Sequence, residues 1–262
     1  EPYIAARGRD LLPIKIKAIE NLREAGWDSV VLVPTLAKGI NDGQVGAIID
    51  FALKNYDVIR CVNFQPISLT GRIDRSKLRE YRITIADFMR LCEEQTGGAI
   101  RQEDFYPVPT VVPIARAVGA IKGKAYPEFT AHPHCGMATF VLNDGGRPKP
   151  ITRLIDVDGF MNVMDEAYEL ARKGSKLRAK VKLASSARKV KLGLLRGLLW
   201  ALLSKGTYRA LGDLARRMLM IGAMHFMDPY NFDLERCQMC VIHYAVPDGR
   251  IIPFCTMNTL HR

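Results

Sequence analysis

Residues 29–68, SVVLVPTLAKGINDGQVGAIIDFALKNYDVIRCVNFQPIS, hold the pattern from which the fold class follows. SVVLVPTL (29–36) is a β-branched apolar run of strand length. KGINDG is a turn, Gln44–Asn55 (QVGAIIDFALKN) reads as an amphipathic helix, and VIRCVNFQPIS (58–68) reads as a second buried strand ending at Gln65-Pro66. This strand, helix and strand predict a βαβ unit, and hence an α/β fold with a parallel sheet or barrel. In such sheets chemistry gathers at the carboxyl ends of the strands. Those ends are Pro34-Thr35 through Asn41, and Asn63 through Arg72.

Upstream, RDLLPIKIKAIENLREA (9–25) has helical spacing, with Gly26 placed to stop it. Downstream, ITIADFMRLCEEQ (83–95) predicts a helix capped by Ser76 or Thr84, followed by a Pro-rich link, DFYPVPTVVPIARAVGAI. The texture then changes. FTAHPHCGMATFVLND (129–144) is a loop entering a strand, RPKPITRLIDVDGF is extended, and a helical stretch from about 160 runs into a basic block. No internal repeat is present, and the division falls near residue 100, giving regions 1–100 and 101–262.

Of the 262 residues 48% are apolar and 25% charged, which suits one large or two modest globular domains and excludes a disordered chain. No run of eighteen apolar residues occurs, so no membrane span is expected. Six cysteines are too few for a disulfide scaffold, and a reducing cytosol with thiols free for metal is the expected setting. Opening on Glu1 in mid-pattern, the chain reads as a fragment. The net charge of +11 is concentrated: twelve Lys or Arg and no acidic residue lie between Arg172 and Arg209. Such a block implies an anionic partner, whether phospholipid surface, nucleic acid or substrate, although a charge run is commonly just a solvated face.

ERCQMCVIHYAVPDGRIIPFC (235–255) gathers Cys237, Cys240 and Cys255, and Cys135 in HPHCG is a fourth candidate ligand on a loop that can bend around a metal. Cys61 and Cys92 lie on apolar-patterned segments and read as small core hydrophobes. Spacing alone does not separate zinc from an iron–sulfur cluster, because both take four thiolates. His132, His134 and His243 are further possible ligands by residue type, though such histidines more often serve as hydrogen-bonding loop residues.

RGRDLLPIKIKAIENLREAG, VVLVPTLAKGINDGQVGAII, VNFQPISLTGR, EDFYPVPTVVPIAR, HPHCGMATFV, MHFMDPYNFD and CVIHYAVPDGRIIPFC follow in this order. Together they resemble a family of archaeal-type radical S-adenosylmethionine enzymes. The resemblance is nearest to the tetraether lipid synthases, with a related group of radical methyltransferases acting on pterin precursors. It covers nearly the whole chain and is weakest over 172–191.

That resemblance implies the C-terminal part of a partial (βα) radical S-adenosylmethionine barrel in 1–100. An α+β auxiliary-cluster and substrate domain would follow in 101–262. It favours iron–sulfur over zinc, with Cys135, Cys237, Cys240 and Cys255 holding an auxiliary 4Fe-4S cluster; family members vary at Cys237, where the alternative is three cysteines and a fourth ligand of another kind. The C-x-x-x-C-x-x-C for the radical-generating 4Fe-4S cluster is absent here and is expected upstream, so this chain alone is expected to be inactive.

Thr35, Lys38, Asn41, Asn63 and Gln65, at the strand ends, are the residues expected to hold S-adenosylmethionine. Asn41 in Asn41-Asp42-Gly43 serves equally well as a helix-capping turn. No Ser/His/Asp arrangement and no paired catalytic carboxylates stand out.

The expected activity is the carbon–carbon joining of phytanyl tails on archaeal glycerophospholipids, fed by an external electron donor. The Met/Leu-rich 192–227 stretch would supply an apolar cavity and the basic block a headgroup rim, placing a cytoplasmic protein peripherally at an anionic membrane. One alternative is a radical methyltransferase on a pterin-type heterocycle. Another is a zinc-containing nucleic-acid-binding module. Nucleic acid is not the expected partner, because only Trp200 and Tyr208 interleave the block.

Overall fold

The structure, a computed structural model, describes residues 2–70, 75–144, 146–186 and 218–261. Helices α1 (Pro2–Arg7) and α2 (Leu12–Glu24) lead to Gly26, whose φ of 70° turns the chain into the sheet. Strands β1 (Val30–Leu32) and β2 (Thr35–Leu36) replace the single strand expected over 29–36. The break falls at Val33-Pro34, because proline has no N–H for the ladder. The Pro34 carbonyl still accepts from Gln65 N–H at 2.9 Å. Helix α3 (Val45–Lys54) then crosses to β3 (Ile59–Pro66). Both β1 and β2 pair parallel with β3, setting Val31 opposite Cys61 and Thr35 opposite Gln65. This is the expected βαβ unit.

After β3 come α4 (Leu78–Tyr81) and α5 (Ile85–Gln95). A capping box opens α5: Thr84 Oγ1 accepts from Asp87 N–H at 3.2 Å, and Asp87 accepts from Thr84 N–H at 3.0 Å. Thr84, not Ser76, is therefore the cap of this helix. The Pro-rich link is only briefly extended, at β4 (Tyr106–Pro107), and then forms α6 (Val112–Lys122). Pro113 sits in the first turn of α6, where an N–H would lack a partner anyway. There follow β5 (Gly136–Asp144), β6 (Arg147–Pro150), α7 (Val157–Arg172), α8 (Lys176–Ser185) and β7 (Leu219–Met224). The chain closes with α9 (Leu234–Gln238), the hairpin β8 (His243–Ala245) and β9 (Ile251–Pro253), and α10 (Phe254–Thr259).

The main sheet has the order β1-β3-β7-β5-β4, with β2 added to β3 and β6 to β5. β1, β2, β3 and β7 are parallel, whereas β5 runs antiparallel to β7, β4 and β6. The fold is thus mixed α/β, and one sheet carries strands from both sides of residue 100. Among the described residues its edges, β1 and β4, do not pair with each other.

Strand alternation gives the sheet two unlike faces. Val62, Phe64, Leu219, Ile221, Ala223 and Val141 point to one face and form a buried core with Val45, Ile49, Phe88 and Cys92 of α3 and α5. The opposite face carries Asn63 and Gln65 of β3 and Gly222 of β7. Gly222 lies between Asn63 and Ala138, and a Cβ there would stand 2.8 Å from Met137 O. Helices α6, α7 and α8 cover the far end of this second face through Leu142 and Met218. On β1 and just past it, Val31 and Val33 remain 51% and 53% exposed.

The 218–227 run, expected to line a lipid cavity, is mostly the central strand β7. Its Leu219, Ile221 and Ala223 are committed to the protein core, which leaves them no part in a lipid channel. The rest of the expected cavity, 192–203, and the basic block beyond residue 186 lie outside the described residues. Among the described residues, no helix is long and apolar enough to cross a membrane.

Candidate functional site

The carboxyl ends of β3 and β7 meet the C-terminal cysteine region. Ser68 Oγ, just past β3, donates to the Phe226 carbonyl just past β7. Leu69 N–H, next in line, donates to Asp228 Oδ2 at 2.9 Å. Asp228 is fully buried and also accepts from Tyr230 N–H at 3.0 Å and from Arg82 Nη2 at 3.1 Å. Burial alone would raise its carboxyl, but the Arg82 pair and the two N–H groups outweigh that and hold its pKa below the ordinary value. One carboxylate therefore ties together the loops after β3 and β7 and the helix α4 region.

The four candidate cysteines come from four local structures. Cys135 ends a single 3-10 turn before β5, Cys237 lies on α9, Cys240 follows α9, and Cys255 lies on α10. Cys237 and Cys255 are buried around Met227, flanked by Phe226, Phe232 and Phe254. Three donors aim at sulfurs: Arg236 Nε at Cys135 Sγ (3.4 Å), Met227 N–H at Cys255 Sγ (3.2 Å) and Thr256 Oγ1 at Cys237 Sγ (3.2 Å). The Cys240 thiol instead donates to the Ile242 carbonyl at 3.0 Å.

Burial pushes the Cys255 thiol up, the Met227 N–H draws it down, and Cys240, Arg236 and Cys135 then act in alternation, the two sulfurs raising it and the cation lowering it. Cys135 and Cys240 are thus both near enough to Cys255 to act on it electrostatically. Cys237 adjoins Cys255 from the apolar side.

Arg236 is the second sign of an anionic occupant. It is buried, its Nη2 donates to the His225 carbonyl at 2.7 Å, and Cys135 Sγ is its other partner. A buried guanidinium calls for a nearby negative charge, and thiolates would supply one. Donors on sulfur and a cation beside it are the kind of surroundings that would tune a bound cluster. Cys135, Cys237, Cys240 and Cys255 would be the residues to hold an iron–sulfur cluster, and donors reach three of their four sulfurs.

No three His, Cys, Asp or Glu side chains among the described residues are gathered to hold a single metal ion. The zinc-module alternative gains no support. Cys61 and Cys92 are buried on the sheet and in the core, and burial pushes the Cys61 thiol up to about 11. Cys92 is raised further by the same cause. His132 and His134 stack edge to face at 4.7 Å beside Cys135, and His243 lies exposed on β8.

The residues expected to hold S-adenosylmethionine do share one end of the sheet. Thr35 lies opposite Gln65, and Asn63 lies two positions before Gln65 on the same strand face. Lys38 is exposed beyond β2, its backbone N–H donating to Tyr81 O at 3.2 Å. Asn41 uses both ends of its amide on its own loop: Oδ1 accepts from Ala37 N–H at 2.9 Å, and Nδ2 donates to Thr35 O at 2.8 Å. It shapes the loop that carries Thr35 and Lys38.

Residue patterning does not single out Arg82, His225, Asp228 or Arg236, whose partners lie far away in sequence. The signal present was MHFMDPYNFD, an Asp-Pro turn directly after an apolar run. His225 is buried, and its pKa is drawn down to about 4 by burial, with Arg82 and Arg236 acting in the same direction and Asp228 opposing. It lines an open cleft of about 510 Å³ with Arg79, Arg82, Thr84 and Tyr230.

No family model matches the chain. The whole chain is similar to a curated protein of Methanocaldococcus jannaschii named 7,8-dihydro-6-hydroxymethylpterin dimethyltransferase, at 49% identity over 275 aligned residues. The alignment covers 100% of this chain and 54% of that relative, so the chain spans about half the relative's length. This finding overturns the lipid-coupling activity and the glycerophospholipid partner expected from the sequence, since the relative is named for methylating a pterin. It favours the methyltransferase alternative.

Proposed function

We propose that this chain is part of a radical S-adenosylmethionine methyltransferase whose acceptor is a reduced pterin of the 7,8-dihydro-6-hydroxymethylpterin type. The observation that carries the reading is the 49% identity across the full chain to the dimethyltransferase. The resemblance of the strand-end and cysteine segments to radical S-adenosylmethionine enzymes agrees with it.

In this reading residues 1–100 form the C-terminal part of the partial barrel, completed by β7. Residues 101–262 form the auxiliary-cluster and substrate region. Thr35, Lys38, Asn63 and Gln65 bind the nucleoside, and Asn41 holds their loop in shape. Cys135, Cys237, Cys240 and Cys255 bind a 4Fe-4S cluster, with Arg236, Met227 and Thr256 donating to its sulfur ligands. Such clusters supply one-electron chemistry when bound. The chain's own residues position the reactants and exclude water, which is the larger protein contribution in cofactor enzymes.

The test is anaerobic assay of the full-length protein with S-adenosylmethionine, a strong reductant and the dihydropterin, read by mass spectrometry of the pterin. A mass gain of one or two methyl groups is expected. An unmethylated pterin, with the iron content intact, would contradict the reading.

A further inference from the structure

The cleft between α4 and the loop after β7 contains a buried nitrogen that has no hydrogen-bond partner among the described residues, His225 Nε2. Beside it Arg82 faces the Asp228 carboxylate with both terminal nitrogens, Nη1 2.8 Å from Oδ2 and Nη2 3.1 Å from Oδ1. Buried polar nitrogens in folded proteins nearly always find a partner. A guanidinium only donates, and a neutral imidazole has one N–H to donate. With its proton on Nε2, His225 is satisfied by an acceptor placed in this cleft, beside the outer edge of the Arg82 guanidinium. Arg79, exposed on the same wall, adds a second guanidinium, and the charge of Arg82 is already balanced by Asp228. Net positive charge with convergent donors selects an oxyanion over a neutral carbonyl.

We propose that this cleft is an oxyanion subsite, taking a carboxylate or phosphate group of a bound small molecule between Arg79, Arg82 and His225 Nε2. The proposal rests on the methyltransferase reading only in the choice of occupant. The carboxylate would come from S-adenosylmethionine, and the phosphate from a phosphorylated form of the acceptor.

The anaerobically purified full-length protein should be titrated calorimetrically with S-adenosylmethionine and, separately, with inorganic pyrophosphate. The comparison is between wild type, Arg79→Gln and His225→Gln. Arg79 is exposed, so its replacement leaves folding out of the question. Losing one charge-assisted hydrogen bond should weaken binding tenfold or more for one of the two ligands, in both variants. Weakening confined to S-adenosylmethionine identifies the carboxylate, and weakening confined to pyrophosphate identifies the phosphate. Wild-type affinity of Arg79→Gln for both ligands overturns the proposal, as does failure of both to bind the wild type. Titration needs no turnover, so a failure of pterin methylation leaves this result standing.

Discussion

Replacing Asp228 by Asn removes one charge and puts an NH2 group where both carboxylate oxygens accept hydrogen bonds. The two carboxylate oxygens have divided tasks: Oδ2 accepts from Leu69 N–H at 2.9 Å, and Oδ1 accepts from Tyr230 N–H at 3.0 Å. An asparagine has one oxygen, so whichever way its amide turns, an NH2 group faces one of these N–H donors. That strands a buried donor, a loss of about 1–3 kcal/mol. It also leaves the Arg82 guanidinium without its counter-charge, and breaking a buried ion pair from one side costs about 3–5 kcal/mol in all. Arg82 is 22% exposed at the cleft, so solvent relieves part of this and the lower end applies.

Denaturant unfolding of wild type, Asp228→Asn, Arg82→Gln and the double variant measures the loss and the coupling. The pH dependence is a second readout. The folded pKa of Asp228 is depressed, so its stabilisation is complete above the unfolded carboxylate value of about 3.9 and is lost as pH falls through the lower folded value. Asp228→Asn should lack that component of acid destabilisation. A loss under about 1 kcal/mol, with no coupling to Arg82, would refute this account of the strand-end loops.

Three further outcomes are expected. Cys135→Ala, Cys240→Ala or Cys255→Ala should lose iron and acid-labile sulfide relative to wild type, whereas Cys61→Ala and Cys92→Ala should keep both; elemental analysis of anaerobic protein decides. Gly222→Ala places a Cβ 2.8 Å from Met137 O and 3.0 Å from Ala138 Cβ, so it should destabilise by about 1–3 kcal/mol in thermal unfolding. Thr84→Ala removes the cap of α5 and should cost about 1 kcal/mol, with Thr84→Ser restoring most of it.

The βαβ unit is legible in the sequence because its signals are local. β-branched runs at 29–36 and 58–68 flank one amphipathic helix, and Asn-Asp-Gly lies between strand and helix. The strand β7 is not legible in the same way. Leu-Met-Ile-Gly-Ala-Met carries one β-branched residue and no polar alternation, because one of its faces packs into the core and the other must be small at Gly222. It therefore reads as a generic apolar stretch, and the sheet order that brings β7 beside β3 across more than 150 residues is tertiary information.

The cysteine site follows the same division. Its ligand candidates show in spacing and resemblance, while the groups that donate to their sulfurs do not. Arg236 reaches Cys135 across 101 positions, and Arg82 reaches Asp228 across 146. The choice between lipid and pterin lay beyond the residues altogether. Apolar side chains at 218–227 suit a lipid wall as well as a core strand, and only the position of β7 and the dimethyltransferase relative separate them.

The most direct measurement is a competition of acceptors. Full-length protein with S-adenosylmethionine and reductant would be offered 7,8-dihydro-6-hydroxymethylpterin and an archaeol-type phospholipid in one anaerobic reaction, with both products followed by mass. The account predicts a methylated pterin and unchanged lipid. A lipid product with joined tails, alongside unmodified pterin, would contradict it.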